Sequence, residues 1–353
     1  MWKDKRLCDL LDIDHPIIQA PMAGASTPEM AIASANAGGM GSLGCAMQSV
    51  DQVAADMLQI RQHTNRAINL NFFVHTPPSL NVERVRAAQD RLINWYETLD
   101  AGDMPEPVET NFPFDTAMCD TVIRLGPKVV SFHFGLPDAS IIAALKKAGI
   151  VILSSATSVA EARYLEENGA DAIIAQSYEA GGHSGWFLAR GTAEVAGTMA
   201  LVPRIVDAVN VPVIAAGGIA DGRGIAAALM LGAAGVQIGT AFLATSECMA
   251  SQTHKNALLA ASGDDTMMSK AFSGRRARTL VNKYASEMAP VDDWPDFPIM
   301  NTLTGPIRKA SVKADSPDAI ALWSGQAVGL IRADTTKEVF LRLVSQTQSA
   351  LTK

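Results

Sequence analysis

The sequence has few cysteines, few aromatic residues and no excess of basic residues. Its 353 residues include only four cysteines, aromatic residues make up 6% of it, and the formal net charge is −7. Proteins that bind nucleic acids usually present a basic stripe, so this charge argues against a polyanion as the main partner. The single dense basic run, residues 275–278, is short, and we interpret it as a solvated or cofactor-facing loop. We therefore expect no nucleic-acid partner.

The cysteines show no metal-binding or disulfide pattern. Cys8, Cys45, Cys119 and Cys248 are scattered along the chain, and none belongs to a CxxC motif. Scattered thiols are typical of proteins from reducing compartments. The first six residues are mostly charged and contain no apolar core of a signal peptide. Together these absences predict a cytoplasmic protein without a metal site.

One uncharged run, residues 224–246, is long enough to span a bilayer. However, Gly232 and Gly235 interrupt its middle, and the polar residues Gln237 and Thr240 follow. These interruptions favour a buried helix, a tight turn and a buried strand over a membrane span. We therefore expect no membrane partner.

Small and aliphatic residues are plentiful, and they recur in a repeated unit. Hydrophobic residues make up 48% of the chain and charged residues 18%, which allows a large apolar core. The unit is a short apolar run, a turn, an amphipathic helix and then glycine, which permits a left-handed helix C-cap. Such glycine turns occur at residues 36–39, 147–149, 168–171 and 231–234. The repetition predicts stacked βα modules.

Eight apolar runs have the length and composition of parallel strands that are buried on both faces. They lie at residues 17–20, 41–44, 68–72, 129–132, 151–153, 172–175, 213–216 and 236–238. Eight is the strand number of the (β/α)8 or TIM barrel, so the sequence predicts this fold of the α/β class. A doubly wound open sheet is the alternative architecture.

Two stretches interrupt the barrel rhythm. Residues 97–118 contain three prolines among acidic residues and are predicted to form a long irregular loop. Residues 245–314 are rich in turns and are predicted to form an inserted lid domain after strand 8, over the barrel mouth. The predicted barrel domain therefore comprises residues 1–244 and 315–353. Helices at residues 319–331 and 337–351 are expected to complete its wall.

In such a barrel, functional residues lie on the loops that follow the C-terminal ends of the strands. The seventh and eighth predicted strands end in the glycine-rich segments 216–222 and 237–240. Glycine lets backbone N–H groups approach an anion closely, so this pair of loops predicts a phosphate site. Either loop taken alone is explained as well by a tight strand-to-helix turn.

Two histidines also follow predicted strand ends. His183 lies among glycines after the sixth strand, and His133 ends the fourth strand. Imidazole titrates near neutral pH and can act as a base, an acid or an anion-binding donor. His183 is therefore a candidate catalytic residue, and both are candidate substrate-binding residues, although His133 could equally be a packing anchor. Surface or turn positions are predicted for His15, His63, His75 and His254.

Several of these segments resemble class I nitronate monooxygenases. The similar segments are residues 17–28, 37–41, 69–73, 133–137 and 179–183. The resemblance implies a TIM barrel with non-covalent FMN, whose phosphate rests on the glycine loops. It also implies that dioxygen oxidises an alkyl nitronate, such as propionate 3-nitronate, to a carbonyl compound and nitrite. His183 matches the active-site histidine of the family.

The family pattern also implies cofactor contacts and a substrate pocket. Flavin contacts are implied at Ala20, Met22, Asn71, Gln176, Gly181, Gly218, Gln237, Gly239 and Thr240. The candidate apolar wall consists of Phe72, Phe73, Phe134 and Trp186. Ser177 and Ser184 depart from the family pattern beside this pocket, which leaves the substrate preference open. The sequence does not decide between a monomer and a homodimer.

Other functions remain open. FMN-dependent enoyl-acyl-carrier-protein reductases share segments 179–183 and 217–222, and NAD(P)H:quinone reductases belong to the same superfamily. Segments 19–24, 71–73 and 133–137 favour the monooxygenase. From another class, a catalytically silent flavin-binding barrel is the alternative, and the presence of both strand-end histidines argues against it.

Overall fold

The computed structural model describes residues 2–107, 114–189 and 194–352. Eight parallel strands form one sheet in the order β1-β9-β8-β6-β5-β4-β3-β2. An isolated parallel bridge between Ile18 and Met40 brings β1 next to β2, so the sheet is a nearly closed barrel. The strands are β1 (Ile17–Gln19), β2 (Gly41–Gly44), β3 (Ile68–Phe73), β4 (Val129–His133), β5 (Val151–Ala156), β6 (Ala172–Gln176), β8 (Val213–Ala216) and β9 (Gly235–Ile238). The predicted (β/α)8 barrel is confirmed.

Helices alternate with the strands and surround the barrel. They are α2 (Pro28–Asn36), α3 (Val50–His63), α5 (Thr116–Leu125), α6 (Ala139–Lys147), α7 (Val159–Glu167), α8 (Thr198–Val206), α9 (Gly222–Met230) and α14 (Thr336–Leu351). The last helix packs against both α9 and α2, which completes the ring. The short helix α1 (Arg6–Leu11) buries Leu7 and Leu11 against Ile18 and Ile214 in one core.

The helix predicted at residues 319–331 is wrong for most of its length. Only Gln326–Leu330 is helical, as one 3₁₀ turn. Before it the chain is extended, and Trp323 forms a bridge with Thr279. Leu280 N donates to Leu322 O and Ser324 N donates to Arg278 O, so the segment borders a strand of the insert. Ala319, Ile320, Ala321 and Leu322 are all buried here although they form no helix.

A second, smaller sheet joins two strands of the insert to the barrel loop that follows β6, and the insert has a hydrophobic core of its own. The sheet consists of β10 (Thr266–Ser269), β11 (Ala277–Leu280) and the two-residue strand β7 (Gly182–His183), all antiparallel. The insert also contains α11 (Gln252–Ala260), α12 (Lys283–Met288) and α13 (Ile299–Lys313), and the short helix α10 (Thr240–Leu243) lies just before it. Helix α4 (Val82–Leu99), which follows β3, packs on α13 and shares its core. The predicted domain boundaries stay a prediction.

The loop predicted at residues 97–118 is shorter than expected, and the uncharged run 224–246 folds as predicted. Residues 97–99 and 116–118, at the ends of the predicted loop 97–118, belong to α4 and α5, and residues 108–113 lie outside the described residues. The uncharged run 224–246 folds as most of α9, a turn, β9 and α10, as predicted. Among the described residues no helix is both long and apolar enough to cross a bilayer.

Candidate functional site

His183 lies on a strand that pairs with the insert and not with the barrel. In β7 its register partner is Ala277 of β11, and Ser184 N donates to Arg276 O at 2.9 Å. His183 Nε2 lies 2.8 Å from Ser273 Oγ, and Ser273 Oγ can donate to Arg275 O at 3.2 Å. With the hydroxyl proton used in this way, Ser273 accepts from His183 Nε2–H. This tautomer leaves a lone pair on His183 Nδ1.

The backbone of the His183 loop is fixed from the barrel side. His183 O accepts hydrogen bonds from Gln176 Nε2 at 2.9 Å and His133 Nε2 at 3.2 Å. His133 Nε2 therefore carries a proton, and its Nδ1 accepts from Ser155 Oγ at 3.0 Å. Gly185 N donates to Gln176 Oε1 at 2.6 Å, and a Cβ at Gly185 would lie 2.6 Å from His133 Cε1. Only glycine fits this approach, which explains one glycine of the motif.

Four aromatic side chains surround His183. Its ring centroid lies 5.3 Å from Trp323, 5.6 Å from Phe297, and 6.3 Å from both Phe73 and Phe134. Phe134 has a φ of 75°, a strained value for a bulky residue that is found mostly where function fixes the backbone. These rings form an apolar pocket at the C-terminal ends of the barrel strands.

The predicted apolar wall is correct in part. Phe73 and Phe134 line the pocket, and Trp186 lies 4.9 Å from the Arg275 guanidinium. Phe72 instead packs against Phe114 at 4.6 Å in the core between the barrel and its helices. Successive side chains of a strand point to opposite faces, so Phe72 and Phe73 cannot both face the pocket.

The pocket is cationic, and its histidines are neutral. Burial lowers the pKa of His183 to about 3, with further lowering by His133, Arg275, Arg308 and His75. Burial and the Arg275 charge lower the pKa of His133 to about 4. A neutral imidazole with a free Nδ1 lone pair can accept a proton or, after a tautomer change, donate a hydrogen bond.

Two predicted histidine positions are wrong. His75 is not a surface residue: its ring lies 4.7 Å from Phe297, its Nδ1 is buried, and burial lowers its pKa to about 4. His254 is buried on α11, where Nε2 lies 3.2 Å from Trp323 O. His63 is exposed at the end of α3, and His15 occupies a turn before β1, as predicted. Tertiary packing of the insert buries the first two.

Residues 275–276 of the basic run form a loop, as predicted, but residues 277–278 belong to a strand, and whether the run faces a cofactor stays a prediction. Arg278 belongs to β11, is 1% exposed, and donates from Nε and Nη2 to Tyr178 O at 3.1 and 3.0 Å. Arg275 stacks on Phe134, and only Arg276 is exposed. The residues that the sequence did not single out are Ser273, Arg308, Phe297 and Trp323. The sequence signals that pointed toward this segment were the basic run and the predicted insertion at residues 245–314.

The glycine loops of the barrel lie where they were predicted. Gly217 and Gly218 follow β8 with φ of 107° and 69°, and a Cβ at Gly218 would lie 2.5 Å from Glu179 Oε2. That carboxylate accepts a hydrogen bond from Thr198 N at 3.1 Å, at the start of α8. A cavity of about 330 Å³ opens here between Glu179, Gly218 and the Gln326–Leu330 turn.

The comparisons with known proteins agree with one another. A family model described as nitronate monooxygenase matches residues 4–346. The probable nitronate monooxygenase of Staphylococcus aureus strain JH9 is 39% identical over 350 residues, 98% of either chain. The solved structure of nitroalkane oxidase from Streptomyces ansochromogenes has a TM-score of 0.92 and 36% identity, over 98% of this chain and 99% of that one.

The chain belongs to the nitronate monooxygenase family. Members of this family are flavin-dependent oxidoreductases, so the chain is an enzyme of that class. A second solved structure, FabK from Thermotoga maritima, has a TM-score of 0.76 and 29% identity, over 98% of this chain and 97% of that one. The same barrel fold therefore also occurs in FabK, a protein that does not carry the nitronate monooxygenase name.

Five of the barrel residues expected to hold the family's flavin lie close to one another at the ends of the strands. A Cβ at Gly239 would lie 3.6 Å from Ala20 Cβ and 3.7 Å from Met22 Sδ, so the ends of β1 and β9 adjoin. Thr240 Oγ1 accepts from Gly325 N at 2.9 Å, and a Cβ at Gly181 would lie 2.5 Å from the same nitrogen.

Two amides test whether a flavin fits. Gln237 Oε1 is buried and has no hydrogen-bond partner among the described residues, so it is available to accept from a bound group. Asn71 Nδ2 donates to Ser131 Oγ at 2.9 Å, and its other amide atom remains an acceptor. The flavin ring of a nitronate monooxygenase carries the N–H donor that such acceptors need. The residues present fit the group.

Proposed function

We propose that the enzyme oxidises alkyl nitronates, such as propionate 3-nitronate, with O2 to a carbonyl compound and nitrite, and that it uses non-covalent FMN. The observation that carries the proposal is the pocket around His183, where a neutral imidazole lies among four aromatic rings beside a half-buried guanidinium. This environment is apolar enough to exclude water and positive enough to attract an anion.

The proposed flavin site lies on the barrel side of the pocket. The isoalloxazine contacts are assigned to Ala20, Met22, Asn71, Gln176 and Gln237. The phosphate contacts are assigned to Gly181, Gly218, Gly239 and Thr240, beside the cavity at Gly218. Bound FMN would supply the electron-accepting chemistry that protein side chains lack. FMN, not FAD, is proposed because the described residues form no separate adenosine-binding unit.

His183 is the proposed catalytic residue, with His133 beside the substrate. A preformed nitronate has already lost its α-proton, so it needs a donor and not a base. A neutral nitroalkane needs a base, and the Nδ1 lone pair of His183 can take the proton only as a weak base, because the pKa of His183 is lowered to about 3. His133 holds the carbonyl oxygen of His183 and thereby orients the loop.

The insert is proposed to act as a lid over the barrel mouth. Supporting this role, Ser273 bonds to His183, and Phe297 contacts both His183 and Phe73 of the barrel. A cover of this kind excludes water and strengthens electrostatic interactions beneath it. We also propose that the enzyme is cytoplasmic and that O2 is its oxidant.

The test is anaerobic mixing of the purified enzyme with a nitronate and, separately, with NADPH, while the flavin absorbance is followed. We expect the nitronate alone to decrease the absorbance, and nitrite to appear after oxygen is admitted. Release of FMN on denaturation is expected as well. If NADPH reduces the flavin quickly and nitronates have no effect, enoyl-acyl-carrier-protein or quinone reduction replaces this proposal.

A further inference from the structure

Arg275 lies in the wall of the pocket, between two aromatic rings. Its guanidinium carbon is 3.9 Å from the Phe134 ring centroid and 4.9 Å from that of Trp186. Nε donates to Ser184 O at 3.4 Å, and Nη2 donates to Trp186 O. Nη1 has no hydrogen-bond partner among the described residues. The aromatic rings cover the flat faces of the guanidinium, so other groups can reach only its edge. On the edge formed by Nη1 and Nη2, some N–H groups donate to no described residue.

No carboxylate neutralises this cation within the described ranges 2–107, 114–189 and 194–352. Glu161 and Asp296 are the carboxylates whose charge reaches Arg275, and both have other partners. Glu161 accepts from the backbone nitrogens of Thr157 at 2.7 Å and Phe187 at 2.8 Å. Asp296 pairs with Arg84 at 3.3 Å. A buried charge without a counterion is costly, so the arrangement calls for an anion.

A second cation, on α13, is near enough for its charge to act on His183. Arg308 donates from Nη2 to Asn301 O and Oδ1, both at 2.9 Å, and forms no ion pair with any described carboxylate. Its Nε is buried and has no partner there. The charges of Arg275 and Arg308 both act on His183. The three histidines of the pocket are neutral near pH 7, so these guanidiniums supply its positive charge.

We infer that Arg275, with Arg308 as the second cation, forms an anion-binding site through which the insert selects the nitronate anion over the neutral nitroalkane. The ligand is a planar anion with two oxygens on one atom, the geometry that a guanidinium edge binds with two parallel hydrogen bonds. The inference rests on the proposed function for the identity of its substrate. The anion site itself does not depend on turnover.

Nitrate is the probe for the site, because it is planar, anionic and inert toward oxidation. Its binding to the flavin-loaded enzyme is measured by isothermal titration calorimetry. Losing charged hydrogen bonds in Arg275→Gln should raise the dissociation constant of nitrate about tenfold to a hundredfold. The matched control is Arg276→Gln, because Arg276 is the exposed neighbour in the same segment and should leave nitrate binding unchanged.

Two further variants keep the inference testable if Arg275→Gln does not fold. Arg275→Lys keeps the charge but loses the planar fork, so its dissociation constant should lie between those of the wild type and Arg275→Gln. Arg308→Gln removes the second cation and should weaken nitrate binding as well. Wild-type affinity in both Arg275→Lys and Arg308→Gln would overturn the inference, as would loss of FMN from Arg275→Gln, which would make Arg275 a cofactor ligand.

Kinetics then separate this inference from the proposed function. Arg275→Gln should raise the KM for a nitronate and leave the KM for the matched neutral nitroalkane within about twofold, since the neutral form gains little from a cation. Nitrate binding that depends on Arg275 in an enzyme without nitronate turnover would overturn the proposed function only. Nitronate turnover with an unchanged KM in Arg275→Gln would overturn this inference only.

Discussion

The barrel and the insert contribute different kinds of groups to the same pocket. The barrel side presents amides, backbone N–H groups and glycine turns, as at Asn71, Gln237 and Gly218. The insert side presents charge at Arg275 and one aromatic ring, Phe297, which meets the barrel rings Phe73 and Phe134. His183 lies between them, on a barrel loop that pairs with a strand of the insert.

This difference indicates that the barrel side binds the flavin and the insert side binds the substrate anion. Neutral acceptors and close backbone approach suit a large, planar and mostly uncharged ring with a phosphate tail. A desolvated guanidinium suits a small anion. We therefore expect changes on the barrel side to affect the flavin and changes on the insert side to affect the substrate, with His183 sensitive to both.

The largest effect is expected at His183, where the regions meet. His183→Asn keeps a donor but loses basicity, so it should retain most nitronate activity and lose most nitroalkane activity. His183→Ala should also weaken nitronate turnover, by about 1 to 3 kcal/mol, since a hydrogen bond to a charged ligand is lost. Steady-state kinetics on a paired nitronate and nitroalkane provide the measurement. Unchanged kinetics in His183→Ala would shift attention to His133.

A barrel-side change should affect the flavin alone. Gln237→Leu removes an unpaired buried oxygen, so the flavin-free protein should gain about 1 kcal/mol in unfolding free energy while its flavin affinity falls. Gln19→Leu is the matched control on β1, because Gln19 Oε1 accepts from Ser42 N at 3.0 Å and its removal should destabilise the protein. Urea unfolding and flavin titration measure both. Equal stability changes in the two variants would contradict this interpretation.

The buried histidines predict how stability depends on pH. Burial lowers the pKa of His75, His133 and His254 to about 4 and that of His183 to about 3. Between these values and about 6.5, the unfolded chain binds protons that the folded chain does not, so stability falls as pH decreases. The urea midpoint should therefore be lower at pH 5 than at pH 7. His254→Gln should reduce this difference, whereas the exposed-site change His63→Gln should not.

The smallest effect is expected at Arg276, next to the residue that carries the anion site. Its guanidinium pairs with Glu194 at 3.3 Å, and the two side chains are 45% and 67% exposed. Exposed pairs of this kind are worth less than about 1 kcal/mol. Arg276→Gln should change neither the flavin affinity nor the nitronate KM. A large change in either quantity would contradict the proposal that Arg275 binds the anion and Arg276 does not.

The barrel half of the molecule was predictable from sequence because its signals are local. A strand buried on both faces needs a continuous apolar run such as Ile173–Ala175, and a tight turn at positive φ needs glycine, as at Gly218. The eight strands and the strand-end position of His133 followed from these patterns. The tail around Trp323 was misread because its burial depends on β11, a distant partner.

The sequence by itself determined the fold, the family and the loops on which His183 and the glycines lie. These features were predictable because repeats and backbone constraints depend on residues that are close together in the chain. Only the tertiary structure decided that Ser273 contacts His183, that Arg275 is stacked on Phe134, and that His75 lies beside Phe297. These contacts join residues about 90 to 220 positions apart, and no local pattern encodes such a distance. The physical reason is that the charge and neutrality of the pocket depend on desolvation, which exists only once the insert packs on the barrel.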